Sequence, residues 1–180
     1  MTKQEEKDRL INQMYIRENI LWNIAVNFNY TKHLYTVSSS TNVNTHCGHI
    51  QFNLFKVLVI DLAKLFVSGK NQKFNLFNLL DDLETGELKE LGLKKSQIEH
   101  YRKQLALNSS LFTSTKHFRD TLFAHTDYLG GIGPTQSFFT QLEGLITLSY
   151  ELLNEISISI TGQKIHNVLN KTDLTNFKIQ

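Results

Sequence analysis

A single proline and nine glycines in 180 residues leave this chain with few obligatory breaks. Proline removes a backbone donor and clashes with the preceding turn, and glycine is the other strong punctuator, so their scarcity favours long, uninterrupted helices. The apolar residues recur at helical spacing almost throughout, which predicts an all-α fold, an up-and-down bundle of about five main helices. Length sets a prior of one domain, expected over residues 1–162, with 163–180 as a C-terminal segment or tail.

Composition narrows the class further. With 41% hydrophobic and 20% charged residues, the chain resembles ordinary globular proteins, not disordered or fibrous ones. Its formal charge is only +2, so any contact with nucleic acid needs a local basic patch. The lone cysteine, Cys47, excludes an intramolecular disulfide and fits a reducing compartment. The opening residues MTKQEEKDRL lack the apolar run of a signal peptide. The longest apolar stretch, residues 55–67, carries Lys56, Asp61 and Lys64 and is too short to cross a bilayer. A cytoplasmic protein without a membrane partner is expected.

Along the chain, Thr2 and Glu5 have capping-box spacing, and Ile11, Met14, Leu21, Ala25 and Phe28 form the stripe of a first helix. Residues 36–45 are rich in Ser, Thr and Asn and predict a loop. The next helix, residues 50–67, is apolar nearly all round and should be central, with Gly69 as its stop. A shorter helix over residues 75–83 follows, then a connection at 86–93. Another helix should open at Ser96 with Glu99 as its capping partner and break near residues 108–110. Phe118, Leu122, His125 and Leu129 then make one stripe. After a glycine-rich loop, Thr135 caps a last helix reaching about Ile160. Two seven-residue seams, Phe139, Ile146, Leu153, Ile160 and Phe138, Leu145, Leu152, give it an apolar sector wide enough for a second partner such as another subunit.

The segment RDTLFAHTD, residues 119–127, carries the most chemistry. Arg119 offers a fixed fork of donors to phosphate oxygens, and His125 titrates near neutrality and can move a proton to or from a ribose hydroxyl. RNA cleavage needs little more, because the neighbouring 2′-hydroxyl is the nucleophile and no metal or cofactor is required in principle. Asp120 is placed to orient either group. On a continuous helix, six positions leave Arg119 and His125 roughly 120° apart. One phosphate is then reached only if the helix loosens or a second copy completes the site. The alternative for the same residues is a structural histidine on the Phe118 face, with Arg119 in a surface ion pair.

RDTLFAHTD resembles the R-x4-6-H motif of the HEPN superfamily (higher eukaryotes and prokaryotes nucleotide-binding) in its abortive-infection (AbiU-like) branch, where a polar residue follows the arginine and the histidine sits in an AHxD tail. LWNIAVNF (21–28), LVIDLAKLF (58–66) and FNLFNLL (74–80) are similar to the corresponding first, central and short helices, so the resemblance covers roughly residues 10–160. It implies a HEPN-type helical bundle, dimeric, with two motifs facing each other across the interface. Many such proteins cut RNA without metal. Carried over residue by residue, Arg119 matches the motif arginine, Asp120 the polar residue and His125 the motif histidine. The function implied is a metal-independent endoribonuclease of abortive-infection or toxin type, with RNA or a nucleotide as ligand and a cognate antitoxin as partner. The alternative is a non-catalytic RNA- or nucleotide-binding or regulatory dimerisation module.

Weaker candidates remain. His46, Cys47 and His49 place three potential ligands within four residues, but a closed zinc site needs four, so no metal is expected and the segment reads as a loop entering the second helix with Gly48 at the turn. Residues 130–135 could present backbone N–H groups to an anion or serve as a plain interhelical loop. Asp61, inside the most apolar helix, needs a partner if buried, either Arg119 or His125, or else reaches water with Lys64 at a helix edge. Lys94, Lys95, Arg102 and Lys103 form a modest basic cluster.

Overall fold

The computed structural model describes residues 3–38, 45–67, 72–85, 93–124 and 134–165. Among them are six helices: α1 Lys3–Ser38, α2 Thr45–Phe66, α3 Leu76–Thr85, α4 Lys95–Ala106, α5 Ser109–Ala124 and α6 Gln136–Thr161. The fold is all-α, and no strand occurs among the described residues. Of these helices, none is long and apolar enough to cross a membrane.

Local chemistry sets most boundaries. Asn75 opens α3, its Oδ1 accepting from the Phe77 amide at 2.8 Å. Thr135 opens α6 as expected, its hydroxyl accepting from the Phe138 amide at 3.2 Å. Gly162 closes α6 with a left-handed φ of 72°, a conformation that disfavours a side chain. Beyond it the chain turns back along α6. The Ile165 amide donates to Asn154 Oδ1, and Tyr150 Oη donates to the Ile165 carbonyl, at 3.2 and 3.3 Å. The tail at 166–180 lies outside the described residues, as do Thr2, Gly69 and the connection at 86–92.

Three boundaries differ from the sequence reading. α1 runs through Thr36 to Ser38, because the Thr36 hydroxyl bonds back to the Lys32 carbonyl at 2.9 Å and leaves the helical ladder intact. α2 begins at Thr45 and takes His46 to His49 into its first turns, so Gly48 is helical and not a turn residue. α4 uses Gln97, whose Oε1 accepts from the Lys94 amide at 3.0 Å, in place of the Ser96 and Glu99 pair.

Ring contacts fix the packing. Phe55 of α2 meets Phe118 of α5 at 5.2 Å while Phe66 stacks on Phe112 at 5.5 Å, so the two helices run antiparallel. Phe118 reaches Phe138 of α6 at 5.7 Å, and Phe139 reaches Phe28 and Tyr35 of α1. The long helices therefore alternate in direction, in the order α2, α1, α6, α5 around the bundle. One end collects Ser38, Thr45, Ala124 and Gln136. α3 and α4 cover the other end, joined through Arg102 to Asp81 and Glu84 and held to α6 by Gln97 Nε2 donating to Glu155 at 3.1 Å.

Both seams of α6 are buried, from Phe138 to Ile160, against α1 on one flank and α4 and α5 on the other. Its wide apolar sector is thus filled within the chain and does not require another subunit. The α1 stripe is buried as expected at Met14, Leu21, Ala25 and Phe28, and departs from expectation at its first residue. Leu10 is buried and Ile11 is 37% exposed, leaving Ile11, Tyr15 and Trp22 as an apolar strip in solvent.

Two stability outcomes follow. Phe139 is fully buried where three other rings converge, so Phe139→Ala should cost about 3–5 kcal/mol in urea unfolding. Burial first, then the charge and hydrogen bond of Glu155 and the charge of Glu151, push the Tyr101 phenol above its ordinary range. A raised folded pKa means the contribution of this group is complete below the unfolded value, about 10, and is lost as pH rises beyond it. The urea midpoint of the parent protein should therefore fall more steeply above that pH than that of Tyr101→Phe.

Candidate functional site

Arg119 lies near the C-terminal end of α5, one residue after Phe118, whose ring is locked between Phe55 and Phe138. That anchoring fixes the backbone from which the guanidinium projects. Asp120 grips it from the next position: Arg119 Nε and Nη2 both donate to Asp120 Oδ1, at 2.9 and 2.7 Å. The arginine side chain is 27% exposed and the aspartate 54%. This is a partly exposed cation with one face held by a carboxylate, and its Nη1 has no partner among the described residues. Because the pair is solvent-screened, it contributes little to stability.

His125 lies outside the described residues, immediately beyond the last residue of α5. Leu129 and residues 130–133 of the glycine-rich loop also lie outside them. The loop's last residues are described: Pro134 is buried, and Thr135 directs its hydroxyl to the start of α6. Of the sequence-derived site residues, the structure brings together Arg119 and Asp120.

Asp61 is buried and accepts from Lys64 Nζ at 2.7 Å, one helical turn on. Among the described residues its partner is therefore Lys64 and not Arg119, and His125 lies outside them. Lys64, half in solvent, screens the carboxylate from one side. On the first turns of α2, His49 is exposed, while the His46 and Cys47 side chains lie outside the described residues. Among the described residues no group of three or more metal-ligating side chains forms. The basic cluster of α4 is partly neutralised, since Arg102 is held by Asp81 and Glu84 and Lys95 lies 3.9 Å from Glu99.

Sequence reasoning missed Arg17. It occupies a core position of α1 and is 1% exposed. Its Nη1 donates to the Gln13 carbonyl and Oε1, and Nη2 donates to the Lys73 carbonyl at 3.2 Å, while Nε has no partner among the described residues. Burial pushes its pKa down to about 10 despite the opposing charge of Asp82. The signal was present: Arg17 stands in register with Leu10, Met14, Leu21 and Phe28. Its contacts tie α1 to the segment leading into α3, at the end of the bundle away from Arg119.

The chain matches no known family model, no curated protein and no solved structure in the comparisons made.

Because the Arg119 and Asp120 pair is exposed, Asp120→Ala should change the unfolding free energy by less than about 0.5 kcal/mol. Chemical denaturation of the two proteins side by side measures this, and a larger loss would show that the pair holds the end of α5 in place.

Proposed function

We propose that this protein is a metal-independent endoribonuclease of abortive-infection or toxin type, in which Arg119 binds the scissile phosphate and His125 transfers a proton. The observation that carries the reading is the Arg119 guanidinium, anchored by Phe118, oriented by Asp120 and accessible to solvent at the end of α5. The motif resemblance of residues 119–127 supports it from the sequence.

The chemistry follows from these groups. As general base, the His125 imidazole takes the proton of the ribose 2′-hydroxyl, whose oxygen attacks the adjacent phosphorus. The bond to the 5′-oxygen breaks, and that oxygen leaves with a proton, giving a 2′,3′-cyclic phosphate and a 5′-hydroxyl end. Negative charge builds on the non-bridging oxygens, where a fixed guanidinium is most effective. Asp120 limits the side-chain freedom of Arg119 before substrate arrives, and the phosphate then competes with a single carboxylate oxygen.

A homodimer belongs to the same reading, in which a second copy supplies a facing motif. A cognate antitoxin and a HEPN-type topology are part of the proposal on the same sequence resemblance.

The test is cleavage of RNA by the purified protein in the presence of chelator. Arg119→Ala and His125→Ala should each reduce the rate at least 100-fold, on the order expected for loss of a charge-stabilising or proton-transfer group, with cyclic phosphate ends on the products. Undiminished cleavage by both variants would sink the proposal. RNA binding without products would select the non-catalytic binding module.

A further inference from the structure

We propose that the groove between α2 and α5 is a binding track for the phosphate backbone of single-stranded RNA, with Lys116 and Lys56 flanking Arg119. The proposal rests on the RNA-directed reading above and adds residues that the motif does not contain.

Two phenylalanines set the geometry. Phe55 and Phe118 touch across the α2–α5 contact, and each is followed directly by a cation, Lys56 on α2 and Arg119 on α5. The two helices are antiparallel, and one residue further along rotates a side chain by about 100°. Both cations therefore leave the ring contact on the same flank of the antiparallel pair, at one level of the bundle. Lys116 stands three positions before Arg119, roughly 60° away on the same side and about 4.5 Å along the axis. It is exposed and makes no ion pair among the described residues.

The charge distribution points the same way. α2 and α5 together carry Lys56, Lys64, Lys116 and Arg119 against only Asp61 and Asp120, an excess of two positive charges that equals the formal charge of the whole chain. Asp61 is held by Lys64 and Asp120 by Arg119, and Lys56 too is engaged, which leaves Lys116 as the cation of these two helices without an ion pair among the described residues. Across the bundle from α2, α6 has three glutamates, Glu143, Glu151 and Glu155, and neither lysine nor arginine. A polyanion is drawn to the α2–α5 side and repelled from α6. The spacing of Lys116 and Arg119 suits successive phosphates of an extended strand, a sequence-tolerant form of recognition.

Fluorescence anisotropy with labelled single-stranded RNA tests this, in the full chain carrying His125→Ala so that the probe stays intact. In about 0.1 M salt, Lys116→Glu should weaken binding about fivefold and lower the salt slope by close to one. Lys116→Arg should bind like the parent. Lys103→Glu, an identical charge change on exposed α4, should have little effect. Equal losses for Lys116→Glu and Lys103→Glu, or no RNA binding by any form, would overturn the track. Cleavage by the parent with Lys116→Glu binding normally would reject the track and leave the nuclease reading standing. A Lys116-dependent affinity without cleavage would keep the track and reject the nuclease.

Discussion

A line of phenylalanine rings, Phe28, Phe139, Phe138, Phe118 and Phe55, passes through all four long helices at one end of the bundle, with adjacent centroids 5.2–6.1 Å apart. Tilted and edge-to-face contacts of this kind add to the area the rings bury and are selective about orientation. They fix the axial register of α1, α2, α5 and α6 together. The Arg119 position is a consequence, since its backbone neighbour is the ring on which α2 and α6 both close. A shift in any of these helices would move the guanidinium.

The chain also separates two kinds of cation. Arg17 sits in the interior and is held by carbonyl oxygens and the Gln13 amide, with the Phe74 ring 6.0 Å away. That arrangement links α1 to the start of α3 at the cost of desolvating a charge. Arg119 stays at the surface with a nearest-neighbour carboxylate, cheap to maintain and open to exchange. The first serves cohesion, whereas the second has the accessibility that binding an anion demands. Arg102, as exposed as Arg119, bridges two carboxylates of α3 and serves cohesion from the surface.

Of the candidate site, the described residues show one contact, that of Arg119 with Asp120. Arg119 and Asp120 were identified from their order in RDTLFAHTD, and their contact is between adjacent residues, which local sequence specifies well. The alternative, Arg119 in a surface ion pair, describes the same contact. Asp61 shows where such reading stops. Its need for a partner followed from the apolar surroundings of α2, but choosing Lys64 over Arg119 depended on which way α2 faces, a question of packing. The basic side shared by α2 and α5 was equally invisible, because Lys56 and Lys116 are sixty residues apart in the chain.

The sequence by itself determined that the fold is helical, where α3 and α6 begin, and that α6 carries two apolar seams, since these depend on backbone chemistry and short-range periodicity. Only the tertiary structure decided what fills the seams. α6 meets α1 on one flank and α4 and α5 on the other, so an apolar width that suggested another subunit is consumed within the chain. It also decided that Arg17 is buried and Ile11 exposed. Periodicity defines the stripes on a helix, but the angle at which neighbouring helices close over them sets which edge of a stripe is covered.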